Sequence, residues 1–287
     1  MNCIKLLFMS VALFYSSIFA QNGNLNDDTH FEKKLDSLVK SHNFPIGIAF
    51  LDLKSGLKYL INDDVTFPTA SAIKIEILSE LFEQDSKSKF KLTDQIEIKM
   101  RVGGSGILQY FDYTNLKLSY YNLALLMIQQ SDNTATNILI DKLGMDEINN
   151  SIQEYGLTNT KLQRVMMDFE ARERGLDNIS TPRDKLLLLE KIYKGEIVSK
   201  ESCEKMLDLL SVAKSSPLAK NINSDFKIAG KGGEIPGVRC EMGIFYFDAF
   251  DYILVVMTNE LPEQELGDKV ISEISTIVYD HMVNTNK

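Results

Sequence analysis

Extended apolar runs occur near the two ends of this 287-residue chain, and almost everything between them repeats at helical spacing. Near the start, residues 45–53 read as a strand, Lys54-Ser55-Gly56 as a turn and residues 57–61 as the hairpin partner. Near the end, residues 227–230, 242–248 and 252–258 read as three more strands. In between, Ile73, Ile77, Leu78 and Leu81 form one helical stripe, and Leu123, Leu126 and Met127 a second. Leu186, Leu187 and Ile192 form a third. Terminal helices are expected from Phe31, Leu35, Leu38 and Val39, and from Val270, Ile271, Ile274, Ile277, Val278 and Met282. The expected fold class is therefore α/β: an antiparallel five-stranded sheet flanked by helices, with an inserted all-helical domain. Residues 26–66 and 215–287 would form the discontinuous sheet domain and residues 67–214 the helical one, with the active site between them.

Residues 1–20 are a different material. Lys5 starts them, residues 6–14 are an apolar centre too short for a span of about 20 residues, and Ala20 precedes Gln21. This pattern predicts a cleaved secretory signal, hence a periplasmic or secreted protein with no stable membrane span. Losing Cys3 with it leaves Cys203 and Cys240, which could pair in an oxidising compartment or stay as two buried thiols. The formal net charge of −9 works against a nucleic-acid partner. A monomer acting on a small molecule is expected.

The chemistry is bounded first by what the chain lacks. His30, His42 and His281 are its three histidines, so a Ser-His-Asp triad or a histidine-built metal site is hard to assemble. No metal or cofactor is expected, and any serine nucleophile needs another base. A lysine serves when burial or a neighbouring cation lowers its pKa. Ser-x-x-Lys occurs eight times, so the pattern alone selects nothing. Ser71-Ala72-Ile73-Lys74 stands out because it follows the break Phe67-Pro68-Thr69-Ala70 and opens an apolar helix. There the hydroxyl meets free N–H groups and the positive end of the helix dipole, and Lys74 lies about one turn away. Ser131-Asp132-Asn133 occurs once, after a helix, where it could equally be a helix cap. Lys231-Gly232-Gly233 follows a strand, and its glycines allow close approach of a ligand to the backbone.

In this order, Ser-x-x-Lys, Ser-Asp-Asn and Lys-x-Gly closely resemble the class A β-lactamase family of penicillin-recognising serine hydrolases. The likeness extends through Thr134-Ala135-Thr136-Asn137 and covers nearly all of the chain after the leader. It implies a β-lactamase-like fold and an exported serine hydrolase that forms an acyl-enzyme at Ser71, hydrolyses β-lactam antibiotics and confers antibiotic resistance. It also implies Lys74 as base, Ser131 as proton carrier, Asn133 as holder of the substrate amide, and Lys231 as the charge that keeps Lys74 neutral. The oxyanion would lie between the N–H groups of Ser71 and Glu234, with Gly233 giving the strand its close approach. Two departures stand out. Gly232 replaces the family's Ser or Thr, for which Arg239 could compensate at the substrate carboxylate. Met166 stands where the family has the glutamate that activates the deacylating water, so Asp168 or, as the catalytic residue expected here, Glu170 must serve. The alternative is a related serine esterase or peptidase, or a penicillin-binding protein with slow deacylation.

Overall fold

The structure, a computed structural model, describes residues 25–211 and 216–287. The expected signal segment, residues 1–20, and the boundary expected between residues 214 and 215 lie outside the described residues. Helix α1 (Leu25–Lys40) leads into the hairpin β1 (Ile46–Asp52) and β2 (Lys58–Ile61), then β3 (Phe67–Pro68) and helix α2 (Lys74–Ser86). Short strands β4 (Gln95–Glu97) and β5 (Lys117–Ser119) precede α3 (Tyr120–Gln129), α4 (Asn133–Leu143) and α5 (Met145–Glu154). Helix α6 (Phe169–Glu173), β6 (Ile179–Ser180), α7 (Pro182–Lys194) and α8 (Lys200–Leu210) complete the middle. The chain returns through β7 (Lys227–Gly230), β8 (Gly233–Ile235), β9 (Val238–Tyr246) and β10 (Asp251–Thr258) to α9 (Gln264–Thr285).

The main sheet runs β2-β1-β10-β9-β7, all neighbours antiparallel, so the two ends of the chain do close into one sheet. The five expected strands are present, and β8 adds a sixth by pairing with the start of β9. Sequence reading missed β8 because Gly232, Gly233 and Pro236 all break strand patterns. Here Gly237, at φ +79°, turns β8 directly into β9. Strand β9 also begins four residues before the expected position 242.

Both faces of the central strands are buried, which explains their unbroken apolar runs. Ile48, Phe50, Tyr252 and Leu254 pack with Phe31, Leu35, Ile274 and Val278 of the terminal helices. On the opposite face Ala49, Leu51, Ile253 and Val255 join the core that α2, α4, α7 and α8 build. His281 is buried against the Phe31 ring, with centroids 4.1 Å apart, and belongs to the core. Among the described residues no helix is long and apolar enough to cross a membrane. Cys203 and Cys240 are both free and buried, which decides the question the sequence left open.

One charged pair lies within this apolar packing. Lys185 of α7 donates to Glu76 of α2 at 2.5 Å and to the Ala72 carbonyl at 3.0 Å, with both side chains fully buried. Removing one partner leaves an uncompensated buried charge, whereas replacing both by apolar groups does not. Lys185→Met should therefore destabilise the protein by about 3–5 kcal/mol. The double variant Glu76→Leu/Lys185→Met should recover most of that loss, as read by urea denaturation.

Candidate active site

The turn carrying Ser71 is held from several sides. Phe67 and Pro68 pair with Ser180 and Ile179, and the Thr69 N–H donates to the Asn178 carbonyl at 2.8 Å. Ala70 is then forced to φ +46°, a left-handed conformation that costs an L-residue about 1–2 kcal/mol. That strained step opens a 3₁₀ turn, Ala70–Ile73, which runs on into α2. Ser71 sits at its start, partly exposed, at the wall of a cleft. Lys74, one turn on, is completely buried.

The ammonium of Lys74 donates to the Ser131 carbonyl at 2.7 Å, to Ser131 Oγ at 3.0 Å and to Asn133 Oδ1 at 3.2 Å. Burial pushes its pKa well below that of an ordinary lysine. The positive charge of Lys231 pushes the same way, and Asp132 opposes both. Ser131 can face this amine because it adopts φ +49° at the junction of α3 and α4. Asp132 holds the junction, capping α4 at the Ala135 N–H (2.9 Å) and accepting from the Leu108 N–H (2.7 Å). The Asn133 amide donates to the Gly103 carbonyl at 3.1 Å and faces the cleft. Ser131-Asp132-Asn133 thus acts partly as the helix cap the sequence also allowed, and the cap aims its neighbours.

The third segment closes the opposite wall. Lys231 is buried, and its ammonium donates to the Gly232 carbonyl at 2.8 Å. Burial brings its pKa down to about 8, with Arg239 adding to the fall and Glu241 opposing it. Gly233 lies so close to the Ser71 turn that a Cβ there would come within 2.9 Å of the Ser71 nitrogen and 2.8 Å of the Ala72 nitrogen. That approach is what makes Glu234, the next residue, part of the same cleft as Ser71 and Asn133.

Two sequence-predicted site residues are not brought to this centre. Glu170 is exposed on α6, and its neighbour Phe169 lines the cleft instead. Asp168 caps α6 by accepting from the Ala171 N–H at 2.9 Å. Met166 stands at the cleft with its backbone clamped by Asn137, whose side chain donates to its carbonyl (3.0 Å) and accepts from its N–H (2.8 Å). The loop around it is closed by Asp177, paired with Arg164 at 2.8 Å and Arg172 at 3.2 Å. Asn178 reinforces the closure at the Gln163 and Arg164 N–H groups. The second residue is Arg239. It is not free to receive a substrate carboxylate, being engaged by Asp268 at 2.6 Å and Glu241 at 2.8 Å. Sequence reading does not mark Asn137, Asp177 and Glu241 as site-shaping groups, although Asn137 sits in the segment that carries the family likeness. Among the described residues no cluster of three or more His, Cys, Asp or Glu is arranged to hold a metal ion.

The sequence matches the profile of the Beta-lactamase enzyme family over residues 30–282. Beta-lactamase VEB-1 of Pseudomonas aeruginosa is 21% identical over 303 residues, covering 98% of each chain. Beta-lactamase CTX-M-8 of Citrobacter amalonaticus is 30% identical over 146 residues, covering 50% of this chain and 45% of that one. Among solved structures, the β-lactamase of Sphaerobacter thermophilus superposes with a TM-score of 0.81 at 25% identity, covering 88% of this chain and 98% of that one. A mutant of PBP-A, solved as an acyl-enzyme complex with penicillin G, superposes with a TM-score of 0.82 at 30% identity. That match covers 89% of this chain and 97% of the PBP-A chain.

Because Gly233 sets the distance between the strand and the Ser71 turn, Gly233→Ala should push β8 outwards. A displacement of about 1 Å costs roughly 10²-fold in rate. The loss should appear in the rate of covalent modification of Ser71, while circular dichroism still reports a folded protein.

Proposed function

Since the chain belongs to the Beta-lactamase enzyme family and is a serine β-lactamase-type hydrolase, we propose that Ser71 is its nucleophile and β-lactam amides are its substrates. Ser71 Oγ attacks the ring carbonyl while neutral Lys74 accepts the hydroxyl proton. Ser131, whose Oγ lies 3.0 Å from the Lys74 nitrogen, relays a proton to the departing ring nitrogen. The backbone N–H groups of Ser71 and Glu234 receive the oxyanion, a contact in which one donor is typically worth about 10²–10³ in rate. Asn133 orients the substrate's side-chain amide. The observation that carries this reading is the buried Lys74 amine, held by Ser131 and Asn133 and driven towards neutrality by burial and by Lys231. The leader pattern at residues 1–20 supports export to the periplasm or beyond.

The wall of the cleft also favours a particular division of rates. Met166 occupies the place of the water-activating carboxylate, Asp168 is used as a helix cap, and Glu170 is exposed. The machinery for acylation is thus better provided than that for deacylation. The protein acts as a slow hydrolase whose acyl-enzyme accumulates, akin to a penicillin-binding protein. A working base contributes about 10²–10⁴-fold, so Met166→Glu should speed deacylation by an order of magnitude or more.

Time-resolved intact mass with benzylpenicillin tests both steps. The wild type should gain the full mass of the probe and lose it slowly, and Ser71→Ala should gain none. An equal adduct on Ser71→Ala would remove the assignment of the nucleophile.

The two lysines also set a pH profile. Acylation needs Lys74 neutral, so its rate should fall as pH drops through the lowered pKa of Lys74. It needs Lys231 cationic, so the rate should fall again above about 8. Lys231→Arg, with a guanidinium charged throughout that range, should move the alkaline limb upwards in a pH series of acylation rates.

A further inference from the structure

Next to Glu234, which lines the cleft, β9 holds an ion cluster whose side chains none of the acyl-transfer steps uses. Glu241 of β9 is buried, its Oε1 2.8 Å from Arg239 Nη2 and its Oε2 accepting from Ser216 Oγ at 3.0 Å. Arg239 is also paired with Asp268 at 2.6 Å and lies 4.0 Å from Glu234. The Glu241 carboxylate fills the space beside Gly232. A Cβ built at Gly232 would come within 2.6 Å of Glu241 Cδ and run into its oxygens. Residue 232 is therefore a glycine because a carboxylate already stands where its side chain would project. Gly232 and Glu234, two residues apart along extended chain, present the same face, and Glu234 lines the cleft. Lys231 and Arg239 are the cations of this wall, and Glu234, Glu241 and Asp268 are carboxylates facing them. Three carboxyl side chains thus stand around two cationic ones, with burial raising the pKa of Glu241 and Arg239 opposing that rise. Across the cleft the lining is Met166, Met167 and Phe169, with Ile235 at the strand end. Arg164, which also reaches the cleft, is paired with Asp177 at 2.8 Å.

We propose that Glu241 is a specificity-determining residue that turns this cleft towards uncharged acyl donors with an apolar acyl side chain and against donors carrying a carboxylate beside the scissile bond. The reason is electrostatic. A substrate carboxylate approaching Lys231 and Arg239 meets a resident carboxylate that already satisfies the arginine, and like charges at close range in a partly buried site repel strongly. An ester or amide in the same place brings no charge, and its apolar side chain finds the methionines and Phe169. The inference rests on the acyl-transfer reading of Ser71 and adds the substrate class.

Benzylpenicillin and its methyl ester test it, since they share one phenylacetyl side chain and differ only in the charge. In both, the bond from Ser71 Oγ to the ring carbonyl carbon forms as the ring C–N bond breaks. The serine proton ends on that nitrogen, so the adduct carries the whole mass of the probe. Acylation rates from time-resolved intact mass are normalised to each probe's reactivity with hydroxide. In the wild type the ester should acylate faster than the acid, on the order of tenfold for one unfavourable charge contact. In Glu241→Gln, which keeps hydrogen-bonding groups towards Arg239 and Ser216, the acid-to-ester ratio should rise by a similar factor. An acid that reacts faster than the ester in the wild type overturns the proposal whether or not the variant folds. An unchanged ratio in folded Glu241→Gln overturns the role of Glu241. Adduct from neither probe removes the acyl-transfer reading as well, which the other two outcomes leave standing.

Discussion

The centre of this structure is built around one amine kept out of water. Lys74 has no solvent exposure, and its three hydrogen-bond partners are oxygens of Ser131 and Asn133. An ammonium in such a place is disfavoured twice, by desolvation and by the charge of Lys231, so the neutral form becomes accessible. The position is built by three separate pieces of chain: the start of α2, the junction of α3 and α4, and the β7–β8 segment. Each contributes at a point where its backbone is constrained. Ala70 and Ser131 are held at positive φ, and Gly233 abuts the backbone of Ser71. Strain of this kind persists only where the surroundings over-determine it. Here the surroundings are the β3–β6 pairing, the Asp132 cap and the Lys185–Glu76 pair beneath Ala72.

The same centre is unevenly equipped for the two halves of a hydrolytic cycle. Ser131 lies within hydrogen-bonding reach of Lys74, and Ser71, the proposed nucleophile, stands one turn before it along the chain. The loop carrying Met166 is fixed just as firmly, by Asn137, Asn178 and the pairs of Asp177 with Arg164 and Arg172, yet it turns a thioether to the cleft. A rigid loop with an apolar side chain at that point excludes water more readily than it activates it. The strand wall follows a similar logic, because its cations are matched by the protein's own carboxylates before any substrate arrives.

The exposed position of Glu170 and the pairing of Arg239 have one physical origin. Both residues are the right chemical type at nearly the right distance along the chain, and spacing alone cannot say which way a side chain points. Glu170 lies on a five-residue helix whose start is set by Asp168, so its carboxylate faces solvent. Arg239 lies on β9 opposite Glu234 in register, two residues before Glu241 on the same face, so its guanidinium is absorbed locally. The missing strand β8 has a related cause, since glycines and a proline that deny a strand in isolation permit one when a neighbouring strand supplies the ladder.

Period and order were legible in the sequence alone. Apolar alternation at both ends and helical stripes between them determined an antiparallel sheet closed by distant segments. The succession of Ser71, Lys74, Ser131, Asn133 and Lys231 determined the family and the kind of nucleophile. Those features survive in one dimension because they depend on residue type and local spacing. Only the tertiary structure decided how Lys74 is desolvated, which acid stands beside Gly232, that Cys203 and Cys240 stay apart, and that no carboxylate of the Met166 loop reaches the cleft. Each of these depends on the burial and direction of side chains brought together from remote parts of the chain, and such quantities do not exist until the chain is packed.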